Sequence, residues 1–168
     1  MDRVVRECTR IEIARSMLDT AIKIYLDGGD RFSVLHLASA VEEVIAGLLK
    51  RRRAELPAVC LQDQAAREKA VAAIAEIHKA RGVERTGKEI GTSLNAVRNG
   101  TMHHGDNAPE VIVTDVESEA WGALFRAIDN YGHYANTLSE MMIEFAHHAL
   151  HAPHINVPDA DATTGVAR

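Results

Sequence analysis

The segment "RFSVLHLASAVEEVIAGLLKRRR" (31–53) decides the predicted fold, because apolar residues cover much of the helix that it would form. They recur at steps of three and four residues, the spacing that aligns side chains along a helix. The apolar stripe is wide, so we expect this helix to lie at the centre of the domain. The basic end suits a helix C-terminus, where the dipole favours cations. The apolar positions are Phe32, Leu35, Ala38, Val41, Ile45, Leu48 and Leu49.

The same periodicity predicts a helix on either side of this segment. The preceding helix runs from about residue 4 to 25 and ends at "DGGD" (27–30), since consecutive glycines suit a turn. The following segment, "AELPAVCLQD" (54–63), is predicted to be a connection. A shorter helix then starts at Ala66 and ends near Arg81 and Gly82.

Two capping-box sequences of the form Ser/Thr-x-x-Glu predict the starts of two more helices. "TGKE" (86–89) opens a helix through Ile90, Leu94 and Val97, and "TDVE" (114–117) opens the longest one, from Trp121 to Phe145. "EVIVTD" (110–115) could form a short strand, but a lone strand has nothing to pair with. We therefore predict an all-α, up-and-down bundle of about five helices. The predicted core includes Ile11, Leu18, Leu35, Val41, Ile45, Leu94, Leu124 and Ile128.

Composition and charge narrow the class of protein. Hydrophobic residues make up 46% of the chain and aromatic residues only 4%, a balance that favours helices over strands. The net charge of −5 excludes a global basic footprint for nucleic acid, so any RNA contact would be local. We expect one helical domain over residues 1–151. Residues 152–168 are short of apolar side chains and are predicted to form a flexible tail.

The sequence also favours a cytoplasmic protein. Its first ten residues, "MDRVVRECTR", carry charges throughout and lack the apolar region of a secretory signal. Two cysteines, Cys8 and Cys60, do not make a disulfide framework. No apolar run approaches the roughly 18 residues that a membrane span needs, so no membrane association is expected.

The polar stretch "AVRNGTMHHGDNAPE" (96–110) contains the pattern Arg-Asn-x-x-x-His in Arg98, Asn99 and His103. Gly105 could close the helix in the left-handed conformation. At about 100° per residue, Arg98 and His103 lie roughly 140° apart on a regular helix. The two side chains would meet more easily if two copies of the segment faced each other across a dimer axis.

With this motif, the chain resembles the HEPN superfamily, whose helical domains carry an Arg-x(4–6)-His motif, often with asparagine after the arginine. Residues 10–49 look like the opening helix pair of an uncharacterised bacterial HEPN-like family. "VRNGTMHHGDNAPEVIVTD" (97–115) and "LFRAIDNY" (124–131) look like its motif helix and last helix. The resemblance covers roughly residues 8–135.

The resemblance implies a metal-independent endoribonuclease without a cofactor, of the toxin type paired with an antitoxin, acting as a homodimer. His103 would move protons at the 2′-hydroxyl or the leaving oxygen, since its ordinary pKa of about 6.5 lies near operating pH. Arg98 would hold the scissile phosphate and Asn99 would orient the histidine or the phosphate. The product would be a 2′,3′-cyclic phosphate, with His104 as the reserve proton-transfer group. The alternative is a non-catalytic, dimeric HEPN binding module.

Two further groups have a functional and a structural interpretation. Glu42 and Glu43 lie in the apolar central helix, so one of them should face the interior. In the functional interpretation, one of them is an acidic partner of Arg98 or contacts a ligand. In the structural interpretation, one glutamate is solvated and the other forms a structural ion pair. The basic run either meets an RNA backbone or is a solvated helix end. That run consists of Lys50, Arg51, Arg52 and Arg53.

The late histidines offer a rival site. Glu144 and His147 match the Glu-x-x-His element of di-iron bundles, and His147 and His151 have a spacing that can chelate a metal on one helix face. The chain has no second Glu-x-x-His element, which a di-iron bundle requires. A polar patch that binds metal opportunistically is the other interpretation, and a metal-binding helical bundle is the least favoured function.

Overall fold

The computed structural model describes residues 7–56, 65–102 and 111–151, and about 80% of these are helical. No strand occurs in these three ranges, so the prediction of an all-α fold is confirmed. The predicted tail, 152–168, lies outside the described residues. The helices are α1 (Arg10–Leu26), α2 (Arg31–Glu55), α3 (Ala66–Ala80), α4 (Gly87–Leu94), α5 (Ala96–Met102), α6 (Val116–Ala135) and α7 (Glu140–His151).

Helix α2 lies at the centre of the bundle, as its wide apolar stripe predicts. It packs mainly against α6 and α1, while α7 packs on α1 and α3 packs on α4. Five predicted core residues are buried: Leu18, Leu35, Val41, Ile45 and Leu124. Ile11 and Ile128 are partly buried against this core, and Leu94 is only half-buried near the end of α4.

The first two helices form a hairpin that local sequence explains. Thr9 caps α1 in a reciprocal box with Glu12, and Asp30 caps α2 by accepting a hydrogen bond from the backbone N–H of Ser33. Between them Gly28 has φ +73°, a conformation that glycine adopts without steric cost. The predicted turn at 27–30 is therefore confirmed.

The helix predicted through Ile90, Leu94 and Val97 is interrupted. The capping box at Thr86 and Glu89 is present, but α4 ends at Leu94 with Asn95 as its C-cap, and α5 starts at Ala96. Arg67 of α3 donates to the Asn95 side-chain oxygen over 2.7 and 2.9 Å and to Gly91 O over 2.9 Å. This long-range contact fixes the break, which helical periodicity alone does not reveal.

The predicted long helix from Trp121 to Phe145 is also two helices. Asn136 ends α6 in the left-handed conformation with φ 53°, which asparagine tolerates better than most residues. Ser139 then caps α7 by accepting from the backbone N–H of Met142. The start of α6 also lies one residue later than predicted, because Asp115 rather than Thr114 is its N-cap. The longest described helix is thus α2, and the count of about five helices was too low.

Helix α2 is also long and apolar enough to cross a membrane, although no segment of the sequence was predicted to be. Its best 18-residue window has a mean hydropathy of 1.6, and 44% of that window is buried inside the bundle. Length and composition alone would therefore allow α2 to cross a membrane. In the bundle its buried residues contact α1 and α6, as expected of the core helix of a folded domain.

The start of α3 depends on a side chain from another helix. Ala65 offers no capping side chain, and Oδ1 of the fully buried Asn130 accepts a hydrogen bond from the N–H of Ala66 over 2.6 Å. Its amide nitrogen also donates to the backbone oxygen of Glu42 over 3.4 Å. Asn130 therefore connects α6 to α2 and α3 inside the bundle.

We expect Asn130→Ala to lower the free energy of unfolding by about 2–3 kcal/mol, because it leaves buried backbone groups without partners. Hydrogen exchange should accelerate most at the start of α3. The matched control is Asn99→Ala, which removes an exposed asparagine side chain from α5. A variant that unfolds at the wild-type urea concentration would show that the capping contact contributes nothing.

Candidate functional site

The adjacent glutamates of α2 point to different neighbours. Glu42 is buried against α6, where its carboxylate accepts from Nε of Arg126 over 3.0 Å. Glu43 is exposed on the side that faces α5, and it pairs with Arg98. Glu42 therefore forms the structural ion pair inside the bundle. Glu43 is the acidic partner of Arg98.

Arg98 is held close to the bundle surface. Its Nη1 lies 2.5 Å from a carboxylate oxygen of Glu43, and its side chain is only 14% exposed, against 58% for Glu43. Its Nε is buried and has no hydrogen-bond partner among the described residues. Because a guanidinium has five N–H donors, this single ion pair leaves donors that an anion could use.

Asn99 occupies the exposed side of α5. Its backbone N–H donates to Asn95 O over 2.8 Å, which continues the helix across the break. Arg98 and Asn99 are thus near each other in the chain but differ in exposure. His103 and His104 lie outside the described residues, just beyond the end of α5.

A second contact between α2 and α5 was missed from the sequence. Nε2 of His36 lies 2.8 Å from the hydroxyl of Thr101, which is also within bonding distance of the Val97 and Arg98 carbonyl oxygens. The signal that could have found it is spacing, because His36 precedes Glu43 by seven residues and so shares its helix face. Two polar side chains of α2 therefore hold the motif helix.

A groove lies beside Glu43, the partner of Arg98. It has a volume of roughly 590 Å³ and lies between α2, α3 and α4. Alanine, valine and glycine supply the apolar part of the wall, and the polar groups come from Glu42, Glu43, Glu68, Arg67, Lys88 and Thr92. This volume is in the range of small-molecule sites, and the mixture of polar and apolar walls suits a polar organic ligand.

The basic run at the end of α2 is largely engaged within the bundle. Arg51 pairs with Glu55 over 2.7 Å and Arg53 with Glu68 over 3.3 Å. Arg52 donates to the carbonyl oxygens of His133 and Tyr134 at the end of α6, and Lys50 is exposed. These contacts favour the interpretation as a helix end, in which the arginines stabilise the C-terminal halves of α2 and α6.

The late histidines lie at the surface of α7. Glu144, His147 and His151 are all exposed on α7. In the described ranges, no three histidine, cysteine, aspartate or glutamate side chains form a group that could hold a metal ion. The Glu-x-x-His residues therefore lie together on one helix, and no described residue of another helix adds a ligand to them.

A second polar cluster joins α6 to the α1–α2 hairpin. Arg31 pairs with Glu117 and also donates to Tyr25 O over 2.9 Å. Burial acts to raise the pKa of Glu117, but hydrogen bonds from Arg31 and Tyr25 outweigh it and hold the pKa below its ordinary value. Glu119 follows Glu117 by two residues on α6. Burial raises its pKa, against the opposing effect of Arg126.

We expect Glu119→Gln to raise stability modestly at pH 7, by less than about 1 kcal/mol, because it removes a half-buried charge. The folded-state pKa of Glu119 is raised, so its favourable contribution is complete below the unfolded pKa of about 4.3 and is lost as pH rises through the folded value. Urea unfolding at pH 4 and 7 tests this, with the exposed Glu76→Gln as control. A destabilised Gln variant at pH 7 would contradict it.

Comparisons of the chain with protein-family models, curated proteins and solved structures find no match.

Proposed function

We propose that this chain is a HEPN-like, metal-independent endoribonuclease whose site contains Arg98, Asn99 and His103. The observation that carries the proposal is the placement of Arg98. Glu43 of α2 pairs with its guanidinium and also lines the groove, and α5 ends at Met102, one residue before His103 in the sequence. A cation that is positioned before substrate binds can stabilise the charge that develops on a phosphate without further reorganisation.

In the proposed reaction the 2′-hydroxyl oxygen attacks the adjacent phosphorus and the bond to the 5′-oxygen of the next nucleotide breaks. His103 carries a proton from the 2′-hydroxyl or to the leaving oxygen, with His104 as the reserve. Arg98 neutralises the phosphate oxygens and Asn99 orients the phosphate or the imidazole. The products are a 2′,3′-cyclic phosphate and a 5′-hydroxyl end, and no cofactor takes part.

A non-catalytic, dimeric binding module is the second candidate function. The ion pair itself favours it, because Glu43 already neutralises Arg98 and most of the arginine side chain is covered. An RNA phosphate would have to share or displace that carboxylate. In this case the same surface would bind a partner, such as an antitoxin protein, without cleaving RNA.

The remaining parts of the proposal follow from the resemblance. The protein would act as a homodimer in the cytoplasm, in which two motif segments face each other. A toxin-like role would require an antitoxin that covers this site. These are expectations about partners, and each can be tested without assuming the others.

Incubating the purified chain with single-stranded RNA, with and without EDTA, tests the activity. We expect cleavage at equal rates in both conditions, because the proposed proton transfer and phosphate binding need no metal. The RNA ends should be 2′,3′-cyclic phosphates. Intact RNA that nevertheless binds at this surface would favour the binding module, and EDTA-sensitive cleavage would contradict the proposed mechanism.

A further inference from the structure

Helix α5 is too short to be stable by itself. It contains seven residues, and isolated helices shorter than about 12 residues are marginal in water. Gly100 lies inside it, and a glycine within a helix is unfavourable because its backbone loses more conformational freedom on folding than that of other residues. The helical conformation of α5 therefore depends on contacts with neighbouring elements.

Different neighbours support different parts of α5. Glu43 pairs with Arg98 near the middle of the helix, and the side chain of Ile112 packs on its glycine. His36 bonds Thr101, one residue before α5 ends. Because His36 and Glu43 are seven residues apart on α2, both project from the same side of that helix. Of these two contacts with α2, the bond from His36 lies nearer to the end of α5.

The direction of this hydrogen bond follows from the other partners of Thr101. Its hydroxyl oxygen lies 3.1 Å from Val97 O and 3.0 Å from Arg98 O, and carbonyl oxygens can only accept. The single hydroxyl hydrogen is therefore directed to one of them, and Nε2 of His36 donates to the hydroxyl oxygen over 2.8 Å. His36 thus begins a chain of hydrogen bonds that ends on the backbone of the motif helix.

We propose that His36 is a positioning residue for the RNA cleavage proposed above, and this role rests on that function. His36 acts through Thr101 rather than on the substrate, because its bond keeps the last turn of α5 formed. The motif histidine, His103, follows that turn in the sequence. A displacement of about 1 Å in a reacting group can lower a rate by about 100-fold. His36 therefore raises the fraction of molecules in which the proton-transfer group is correctly placed.

Steady-state kinetics of RNA cleavage by His36→Leu test this role. We expect kcat to fall by about 3- to 10-fold, the effect of losing one hydrogen bond on an equilibrium between two states. KM should not change, because Arg98 keeps its partner Glu43. His36→Gln should restore most of kcat, since its amide nitrogen can donate from nearly the same position as Nε2. The matched control is His78→Leu, which replaces a half-buried histidine of α3 and should leave kcat unchanged.

A double-mutant cycle with Thr101→Val shows whether the two residues act through one bond. Valine keeps the branched shape of threonine without its hydroxyl, so Thr101→Val should lower kcat about as much as His36→Leu does. The double variant should lose no more than either single variant, because both remove the same hydrogen bond. Losses that multiply in the double variant would mean that the residues act independently, and they would overturn the proposal.

Hydrogen exchange in the free protein tests the ordering of α5 without RNA. The amides of its last turn should exchange about 3- to 10-fold faster in His36→Leu than in the wild type or in His36→Gln. Circular dichroism establishes that each variant is folded, and Thr101→Val provides the same comparison if His36→Leu does not fold.

An unchanged kcat in His36→Leu would overturn the positioning role and leave the proposed RNA cleavage standing. So would a loss that His78→Leu reproduces or that His36→Gln does not restore. If the wild type cleaves no RNA, the proposed function fails, and the exchange rates still decide whether His36 orders the last turn of α5. The two proposals therefore fail separately.

Discussion

Arg98→Ala should lower RNA cleavage by about 10²–10³-fold, because it removes the cation that stabilises charge on the phosphate. His103→Ala should lower it by about 10²–10⁴-fold through the loss of proton transfer. Neither change should unfold the chain. Glu43 loses its partner in Arg98→Ala, but water can solvate this carboxylate because its side chain is 58% exposed in the wild-type protein. Initial rates with a labelled oligonucleotide give the measurement.

The matched control for Arg98→Ala is Arg51→Ala, which also removes an arginine paired with a glutamate of the bundle. Arg51 lies at the far end of α2 from the motif helix, so its loss should change the cleavage rate by less than about threefold. Equal losses in both variants would indicate general electrostatic attraction of RNA. Retention of full activity in Arg98→Ala would exclude the proposed role of this residue.

The second large effect concerns stability rather than activity. Arg126→Ala should lower the free energy of unfolding by about 3–5 kcal/mol, because it leaves the buried carboxylate of Glu42 without its charged partner. Replacing both residues, as Glu42→Leu with Arg126→Leu, should recover much of that loss, since neither a charge nor a cavity remains.

Urea unfolding of the single and double variants measures this coupling. Arg51→Ala is again the control, because its partner Glu55 is exposed and an exposed ion pair contributes less than about 1 kcal/mol. An Arg126→Ala variant as stable as the control would mean that Glu42 finds water or another donor in the folded protein. The interior ion pair would then not be a structural requirement.

Local sequence rules account for much of the fold. The periodicity of residues 31–53 predicts the central helix, "DGGD" predicts the hairpin turn, and Thr86 with Glu89 predicts the start of α4. The breaks at Asn95 and Asn136 escaped prediction. Asn95 is bonded to Arg67, 28 residues away in the chain, and the left-handed conformation at Asn136 is one that asparagine tolerates without requiring it.

The candidate site could be predicted only in part. The sequence named Arg98 and its acidic partners, but which glutamate faces Arg98 depends on how α2, α5 and α6 pack. His36 was not among the predicted site residues, although it bonds Thr101 two residues before the motif histidine. Side chains that meet across helices in this way leave no signal in a single segment of sequence.

The most direct test of the proposed chemistry uses an RNA in which one nucleotide at a mapped cleavage position carries a 2′-deoxy sugar. The proposal predicts that cleavage stops at that position, continues at the others, and leaves 2′,3′-cyclic phosphate ends in EDTA. Cleavage at the 2′-deoxy position at the wild-type rate would mean that the 2′-hydroxyl is not the attacking group, and it would contradict the proposed mechanism.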